Sequence, residues 1–477
     1  MARTVTSVLN AKVIGLAIAG AVGGFLFGFD SSVVNGAVNA IEADFALSPE
    51  VTGIAIASAL LGCAVGAALA GRLADWRGRI PVMLLGAVLF LVSSIGTGLA
   101  TELWDFILWR LLSGLGIGIA SVVAPAYIAE ISPTAVRGRL ASLQQLAIVL
   151  GIFAALLSDA LFANAAGGAG EHFWLGLEAW RWMFIACAVP SVIYGILALT
   201  LPESPRYLVS KGKEDRARAV LATIVPEQMI DSSISDVHAS IARDAASKGS
   251  LRGRLLGLRP IVWTGILLSV FQQFVGINVI FYYSSTLWQA VGFTESDSLT
   301  ISVLTSVTNI VVTIVAILLV DKVGRRRMLM TGSIGMVVSL ALMAIAFSEA
   351  VIVDGRPSLP GAWGMVALIA ANVFVVAFGV SWGPLVWVLL GEIFPTSIRG
   401  KALGVAAAAQ WIANFLVTVS FPAFAAFSLT FTYELYAVFA LLSFVFVLFR
   451  VPETKGVSID EADTLALPVI GRARQQS

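Results

Sequence analysis

Charged residues are scarce in this chain of 477 residues. Asp, Glu, Lys and Arg make up only 12% of it, whereas 58% of the residues are hydrophobic; average soluble proteins carry about 25% charged residues. This composition excludes a soluble domain and predicts that the lipid bilayer is the solvent. The formal net charge is +1, so we expect no nucleic acid partner.

Residues that build metal sites and disulfides are equally rare. The two cysteines, Cys63 and Cys187, lie in apolar runs and are typical of small core residues. The two histidines, His172 and His238, are not spaced as metal ligands. The sequence contains no GxxxxGK[ST] motif for ATP and no nucleophile–base pattern in its apolar runs. We therefore expect neither an enzyme nor a cofactor.

Twelve apolar runs are each long enough to cross a bilayer, which takes about 20 helical residues. The first run is not followed by a small-residue cleavage site, so we expect it to remain as a helix. The runs lie near residues 13–37, 51–70, 80–100, 104–128, 140–163, 180–200, 261–290, 299–320, 328–348, 363–390, 402–425 and 431–450. A charged stretch divides them into six and six.

This pattern predicts an all-α integral membrane protein. The expected parts are an N-terminal six-helix bundle over residues 1–200, a helical linker over 201–260, a C-terminal six-helix bundle over 261–450 and a tail over 451–477. With the N-terminus inside, the basic residues of the loops fall mainly on the inner side, and the outer loops hold Arg181 and Arg356. The positive-inside rule then places both termini and the linker in the cytoplasm of a multi-pass plasma-membrane protein.

Three landmarks recur in each half of the chain. GRLADWRGR (71–79) matches LLVDKVGRR (318–326), AEISPTAVRGR (129–139) matches GEIFPTSIRGK (391–401), and PESPR (202–206) matches PETKG (452–456). Each pair occupies the same place among the six spans of its half. The halves are therefore interpreted as homologous, and parallel repeats of this kind are a transporter architecture with substrate bound near the bilayer midplane.

These landmarks, with GGFLFGFDSSVVNGA, RLLSGLGIG, QQFVGINVIFYYS and SWGPLVWVLL, follow one another in an order that resembles the sugar porter family of the major facilitator superfamily. The resemblance extends to bacterial glucose or xylose–proton symporters and to facilitative glucose transporters. It implies alternating access between two six-helix bundles and a sugar or polyol as substrate. We expect a monomer.

Acidic and basic residues repeat at the inner ends of the spans in both halves. The set consists of Asp75, Arg79, Glu130, Arg137 and Glu203 in the first half and Asp321, Arg325, Glu392, Arg399 and Glu453 in the second. Opposite charges there can link helix ends, and ion pairs at a wet surface are weak enough, at about 0–1 kcal/mol, to break in each cycle. We interpret the set as a cytoplasmic latch. The alternative is solvated loop charge that only sets topology.

Asp30 lies inside the first predicted span, where a carboxylate costs roughly 2.5–3.5 kcal/mol on insertion scales. Arg110, in the fourth span, is interpreted as its partner and as the one other clear charge within a span. Asp30 precedes Ala37 by seven residues and Arg110 follows Leu103 by seven, so both lie roughly 10 Å inside the outer surface at 1.5 Å per residue. The alternative is a purely structural buried ion pair.

The functional hypothesis for this pair is a proton switch. Beside Arg110 the Asp30 carboxylate keeps its charge, and separation of the pair in a dry site would favour protonation. The resemblance implies the same role, since an Asp at this position marks proton symporters in the family. Some symporters also carry a Glu in the sixth span, but the matching position here is near Cys187, so the pair is expected to act without a third charge.

Uncharged amides in apolar spans suit the hydroxyl groups of a neutral sugar, because each amide both donates and accepts hydrogen bonds. The seventh span holds Gln272, Gln273 and Asn278, interrupted by Gly276, which weakens the helix. By resemblance, the substrate-binding set is Gln145, Gln272, Gln273, Asn278, Asn309 and Gln410. The alternative is interhelical hydrogen bonding.

Aromatic rings are expected to complete the sugar site. Candidates for the walls are Phe27, Trp382, Trp387 and Trp411, and candidates for gating are Tyr282, Tyr283, Gly383 and Pro384. The tenth span is expected to break at Gly383-Pro384.

The sequence thus predicts a proton-coupled symporter that imports a monosaccharide, with D-glucose favoured. A facilitative uniporter, or a symporter of xylose, galactose or myo-inositol, stays open. The fifth span lacks the GxxxGPxxGG pattern of drug antiporters, and the tail is shorter than those of sugar sensors.

Overall fold

A computed structural model describes residues 11–132, 137–246, 250–353, 356–395 and 398–455. In the first half the helices are α1 (Ala11–Ser32), α2 (Val34–Asp44), α3 (Pro49–Arg77), α4 (Arg79–Leu99), α5 (Leu103–Ile131), α6 (Arg137–Ala166), α7 (Ala179–Ala186) and α8 (Ala188–Thr200). The linker helices are α9 (Pro205–Ser210), α10 (Glu214–Leu221) and α11 (Ile230–Ala246), with a 3₁₀ turn at Glu227–Met229.

The second half repeats this pattern. Its helices are α12 (Pro260–Phe274), α13 (Ile277–Tyr282), α14 (Ser284–Ala290), α15 (Glu295–Val323), α16 (Arg325–Ser348), α17 (Trp363–Gly379), α18 (Trp382–Ile393), α19 (Arg399–Phe427) and α20 (Leu429–Arg450). Within the described ranges, twelve helical segments are long and apolar enough to cross a membrane. The predicted all-α membrane architecture is confirmed.

Short strands in the connections are an addition that the sequence analysis did not anticipate. They are β1 (His172–Trp174), β2 (Leu177–Glu178), β3 (Arg252–Leu255), β4 (Val351–Val353) and β5 (Arg356–Ser358). β1 pairs with β2, and β4 with β5, as antiparallel hairpins. Each strand pair lies between two membrane spans, where hydrogen bonds between the strands satisfy backbone groups that no helix includes.

The chain divides into two compact units. The first is Met1–Ala46 with Ala55–Ser247, and the second is Leu47–Ile54 with Lys248–Ser477. The linker helices belong to the first unit and have a small apolar core of their own, formed by Leu208, Val209, Ala217, Leu221 and Ile234. The domain boundaries proposed from sequence remain a prediction.

The seventh span is broken where its glycine predicts. Gly276 has φ +84° and separates α12 from α13. An added Cβ there would lie 2.7 Å from the ring of Tyr436, so both the backbone conformation and the packing require glycine. The break leaves Gln272, Gln273 and Asn278 on two short helices instead of one continuous face.

The tenth span breaks earlier than predicted. α17 ends at Gly379 and α18 begins at Trp382, with Ser381 at φ −131° and ψ −90° between them. The prediction that Gly383-Pro384 forms the break is therefore wrong by three residues. Pro384 instead lies in the first turn of α18, where its missing N–H removes no intrahelical bond.

α1 and α6 approach each other through glycine. A Cβ added to Gly28 would lie 2.0 Å from the carbonyl oxygen of Ile148, and one added to Gly151 would lie 2.1 Å from that of Phe25. The two backbones therefore pack directly against each other, which fixes the height of α6 along α1.

We expect Gly28→Ala to destabilise the protein by about 1–3 kcal/mol through overpacking of this contact. The measurement is the thermal midpoint of the purified protein in detergent. Gly15→Ala is the matched control on α1, since a Cβ there would have no neighbour within 4 Å and alanine is the better helix former. Equal midpoints for the two variants would contradict a tight α1–α6 contact.

Candidate functional site: a buried ion pair and an amide network

Asp30 and Arg110 form a buried ion pair inside the first unit. Arg110 Nη1 donates to Asp30 Oδ2 at 3.0 Å, and both side chains are 3% exposed. Ser113 Oγ donates to the other carboxylate oxygen at 2.5 Å. The contact expected from the two helix depths is present, and its role in proton coupling stays a prediction.

The pair is held loosely for a buried one. Arg110 makes one hydrogen bond to the carboxylate, and its Nε has no partner among the described residues. Its guanidinium also lies 5.4 Å from the centre of the Phe184 ring, a distance that allows a cation–π interaction. Arg110 therefore has a second favourable contact, with the Phe184 ring, besides its single hydrogen bond to Asp30.

Arg110 is not the one other clear charge within a predicted span. Asp159 lies in α6, is fully buried, and accepts one hydrogen bond from the backbone N–H of Gly36 at 3.2 Å. The sequence interpretation was therefore wrong in overlooking Asp159, whose signal was the same as that of Asp30: a carboxylate within an apolar run.

The predicted amides of the seventh span form a connected network. Gln272 Nε2 donates to the carbonyl oxygens of Trp382 and Gly383 at 3.0 and 3.1 Å. Gln273 is linked to Gln272 at 3.4 Å, and Asn278 Nδ2 donates to Gln273 Oε1 at 2.6 Å. The network thus connects both sides of the break at Gly276 with the start of α18.

Asn414, on α19, completes the network and was missed from the sequence. Asn278 Nδ2 donates to Asn414 Oδ1 at 2.7 Å, and Thr418 Oγ1 donates to the same oxygen at 3.2 Å. Asn414 follows Gln410 by four residues, so the helical spacing alone places it on the same face. Gln410 is half-buried, and its Oε1 has no partner among the described residues, which leaves an acceptor open to a ligand hydroxyl.

The remaining polar candidates differ in environment. Gln145 is half-buried in α6, next to Gln144, whose buried Oε1 has no partner in the described part of the chain. Asn309 is 7% exposed on α15, with its Oδ1 near Gly379. These side chains can offer hydrogen bonds, and the structure adds Gln144 as a neighbour that sequence reasoning missed.

The aromatic candidates fall into two groups. Phe27 and Trp411 are half-buried and Trp387 is 44% exposed, so their rings have accessible faces. Trp382 is fully enclosed, and its Nε1 donates to Ser333 Oγ at 2.9 Å. Trp382 therefore orients α18 in this structure instead of offering a ring face to a sugar, which corrects its expected role.

The two tyrosines proposed for gating follow Gly276 closely. Tyr282 is 6% exposed and Tyr283 is 1% exposed. Tyr283 Oη donates to the carbonyl oxygen of Thr418 at 3.0 Å, and its ring centre lies 5.0 Å from that of Phe421. This tyrosine ties the turn after α13 to α19.

Charges at one end of the first unit form a clamp, which we define as Arg79, Glu130, Glu203 and Ser204. Arg79 donates to both oxygens of Glu130, at 2.9 and 2.8 Å. Glu203 accepts the backbone N–H of Arg79 at 2.9 Å, at the first residue of α4. A carboxylate is favourable at a helix N-terminus. Asp75 also pairs with Arg79 at 3.2 Å but is 77% exposed.

The second unit has an equivalent clamp, formed by Arg325, Glu392, Glu453 and Thr454. Arg325 Nη2 donates to Glu392 Oε1 at 2.9 Å, and Glu453 accepts the backbone N–H of Arg325 at 3.0 Å. The hydroxyl of Ser204 donates to Glu130, and the hydroxyl of Thr454 donates to Glu392. The sequence repeat is thus reproduced in equivalent contacts of the two clamps. Arg399 Nε donates to the carbonyl oxygen of Phe394 at 3.1 Å. The side chains of Arg137 and Asp321 lie outside the described residues.

Comparison with known proteins gives one consistent result. The sequence profile of the family described as "Sugar (and other) transporter" matches residues 16–466. The chain is 52% identical over 460 residues to a glucose transport protein of Synechocystis sp., covering 95% of this chain and 98% of that protein. It is 33% identical over 499 residues to the D-xylose-proton symporter of Escherichia coli, covering 98% of each.

Solved structures agree with the sequence relatives. The xylose transporter XylE from E. coli, in a partially occluded inward-open conformation, matches with a TM-score of 0.81 at 32% identity, covering 94% of this chain and 100% of that one. The chain belongs to the sugar transporter family. This sugar transporter therefore has the major facilitator fold expected from its repeats, and it is a transporter and not an enzyme.

We expect Glu392→Gln in this sugar transporter to lower its stability by about 1–3 kcal/mol, because the guanidinium of Arg325 would lose a charged acceptor in a mostly buried place. The matched control is Glu214→Gln, which removes one side of the exposed Arg218–Glu214 pair, worth about 0–1 kcal/mol. Thermal midpoints of both variants beside the parent protein give the comparison. A larger loss for Glu214→Gln would mean that the clamps do not stabilise the fold.

Proposed function

We propose that this protein is a proton-coupled symporter that imports a monosaccharide, with D-glucose as the favoured substrate. The observation that carries the proposal is the buried Asp30–Arg110 pair, held by one hydrogen bond between two charged groups. A buried ion pair is often no more stable than the apolar residues that could replace it. A requirement to bind and release a proton gives it a reason to be there.

The proton step follows from the geometry of the pair. While Arg110 donates to Asp30, the carboxylate is neutralised electrostatically. When α1 and α5 shift and the hydrogen bond breaks, the carboxylate is left in a dry site, and a proton restores neutrality. Ser113 can hydrogen-bond Asp30 in either state, since a hydroxyl both donates and accepts. Sugar binding that favours one arrangement of the helices then couples sugar to proton.

The sugar is expected to bind to the uncharged polar groups. Support comes from the open acceptor on Gln410, the amides of Gln273 and Asn278, and the accessible ring of Trp387. Gln145, Asn309, Phe27 and Trp411 extend the proposed set. Trp382 is proposed to position α18, because its backbone oxygen accepts from Gln272. Glucose is favoured since one relative is named a glucose transport protein, and xylose remains the second candidate.

We infer that the protein is a monomer in the plasma membrane with both termini and the linker in the cytoplasm. The positive-inside distribution supports this orientation. On that orientation the two clamps lie on the cytoplasmic side. They are proposed to act as the latch of that side, since each ties the inner ends of several helices of one unit. Tyr282, Tyr283 and the break before α18 are proposed to bend during gating.

We expect Gln273→Ala to weaken glucose binding severalfold while leaving the thermal midpoint near that of the parent protein. The reason is that Gln273 lies in the middle of the amide network and pairs with uncharged groups. Glucose affinity of the purified protein is the measurement, and Ser339→Ala, a buried hydroxyl bonded within its own helix, is the control. Unchanged affinity with a lower midpoint would favour the interhelical interpretation.

We expect Asp30→Asn to abolish glucose accumulation driven by a pH gradient in proteoliposomes, because asparagine cannot carry the proton. Exchange of labelled glucose between equal pools reports whether the variant still cycles. The protein must first be shown to fold, since removing one partner of a buried pair costs about 3–5 kcal/mol. If the parent protein equilibrates glucose and ignores the pH gradient, the protein is a uniporter and the pair is structural.

A further inference from the structure

A short motif occurs twice in the chain at places that the duplication of the halves does not explain. WLGLEAWRW (174–182) and LLGLRPIVW (255–263) share Leu-Gly-Leu followed by a tryptophan. The first copy leads into the sixth membrane span and the second into the seventh, which are not equivalent positions in the two halves. We define residues 174–177 and 255–258 as the first and second leucine turns. Their recurrence indicates a shared physical task at the start of a membrane helix.

Both turns hold a leucine in a backbone conformation that suits asparagine or glycine. Leu175 and Gly176 have φ +55° and +75°, and Leu256 and Gly257 have φ +46° and +81°. Positive φ at both central residues of a two-residue hairpin is the type I′ turn, for which Asn-Gly is preferred. A leucine Cβ there lies close to the following carbonyl oxygen, and its side chain forms no hydrogen bond. An apolar residue at this position therefore needs a favourable contact outside the turn.

Both leucines project away from the rest of the chain. Leu175 is 73% exposed and Leu256 is 82% exposed. Neighbouring apolar side chains are also uncovered, at 41% for Phe173, 60% for Trp174 and 49% for Leu255. One exposed leucine needs no explanation, but the same residue at the same unfavourable place in two turns does. Each turn presents a small apolar tip.

A tryptophan ties each turn to the membrane helix that follows it. Trp182 Nε1 donates to the carbonyl oxygen of Trp174 at 3.0 Å, and Trp263 Nε1 donates to that of Leu255 at 2.8 Å. Trp182 and Trp263 are half-buried and lie in the first turns of α7 and α12. Tryptophan is enriched where a membrane helix meets the headgroups, because its ring is apolar and its N–H is polar. Both leucine turns are therefore held at a membrane surface.

The charges beside the two turns differ in a way that fits the two leaflets. The second turn is flanked by the exposed Arg252 and the half-buried Arg259, and the first by His172 and Glu178. On the proposed orientation the second turn lies at the cytoplasmic surface, where anionic lipids attract arginine. The basic flanks thus occur at the turn that faces the anionic leaflet.

We propose that the two leucine turns are lipid anchors, in which Leu175 and Leu256 insert between the headgroups and the acyl chains at opposite surfaces of the bilayer. Successive spans cross the bilayer in opposite directions, so the sixth and seventh spans begin at opposite surfaces. Transfer of the leucine out of water offsets its unfavourable backbone conformation. Through its tryptophan, each anchor sets the depth at which its span enters. The proposal depends on the membrane spans and not on the identity of the sugar or on proton coupling.

The first test measures depth with a nitroxide spin label on Leu175→Cys and on Leu256→Cys, in liposomes of phosphatidylcholine and phosphatidylglycerol. Cys63 and Cys187 are buried, and parent protein treated with the label gives their background. The quantity is the ratio of collisions of the label with oxygen, which is enriched in lipid, to collisions with a nickel chelate, which stays in water.

Two further labelled positions provide the references for this ratio. Ser232→Cys, exposed on α11 of the linker, is the reference for water, and Val338→Cys, 53% exposed in the middle of α16, is the reference for lipid. We expect the ratio at both leucine turns to exceed that of Ser232→Cys severalfold and to stay below that of Val338→Cys.

The second test uses Leu175→Asn and Leu256→Asn without a label. Asparagine adopts positive φ more readily than leucine, so it would maintain or raise the stability of a turn that lies in water. We expect both variants instead to lower the thermal midpoint by several degrees in nanodiscs of the same lipids. The matched control is Ala46→Asn, an exposed residue with φ +49° and no leucine side chain to lose, whose midpoint should equal or exceed that of the parent protein.

Each outcome supports or overturns the anchor at the turn that is tested. A collision ratio equal to that of Ser232→Cys overturns it, because the leucine position then lies in water. A label shielded from both oxygen and nickel means that protein, a second copy or another partner, covers the leucine, and this also overturns lipid anchoring. A midpoint at or above that of the parent protein in the asparagine variant overturns the anchor as well, and decides alone if the labelled variant does not fold. Neither readout involves transport, so failure of the proposed symport would leave both unchanged.

Discussion

The pairing of Asp30 with Arg110 is the constraint on which the first unit depends. Each charge alone would cost several kcal/mol in the apolar interior, so α1 and α5 must keep the depth and rotation at which the two groups meet. A second constraint on α1 comes from α6, whose backbone packs against that of α1 at Gly28 and Gly151. α1 is therefore fixed from both directions, and any movement of α1 strains the ion pair, the glycine contact or both.

The buried ion pair and the connected amide network lie in different units. The buried ion pair and Asp159 belong to the first unit, whereas the connected amides, from Gln272 to Asn414, belong to the second. A neutral sugar needs donors and acceptors without net charge, and a proton needs a carboxylate. Because the buried charges and the amides are on different helices, a substitution in one set need not alter the other. Coupling of proton to sugar then depends on how the helices move.

Sequence reasoning succeeded where the signal was local and strong. Apolar length predicted twelve spans, the repeated motifs predicted two equivalent halves, and one misplaced carboxylate with one misplaced arginine predicted a contact. It failed where the outcome depended on three-dimensional packing. The break of the tenth span moved to Ser381 because a proline fits the first turn of a helix, and Trp382 proved to be core since its N–H finds Ser333. Asp159 could have been found, because it carries the same signal as Asp30.

The clamp of the second unit has a practical consequence for handling the protein. Glu453 and Thr454 follow the last span, yet Glu453 holds the first turn of α16 and Thr454 holds Glu392. These two residues, which follow the last apolar residue of the membrane helix, therefore belong to the folded unit. A purification tag or fluorescent fusion joined directly after Arg450 would remove the contacts of Glu453 and Thr454, whereas one joined after Lys455 would keep them.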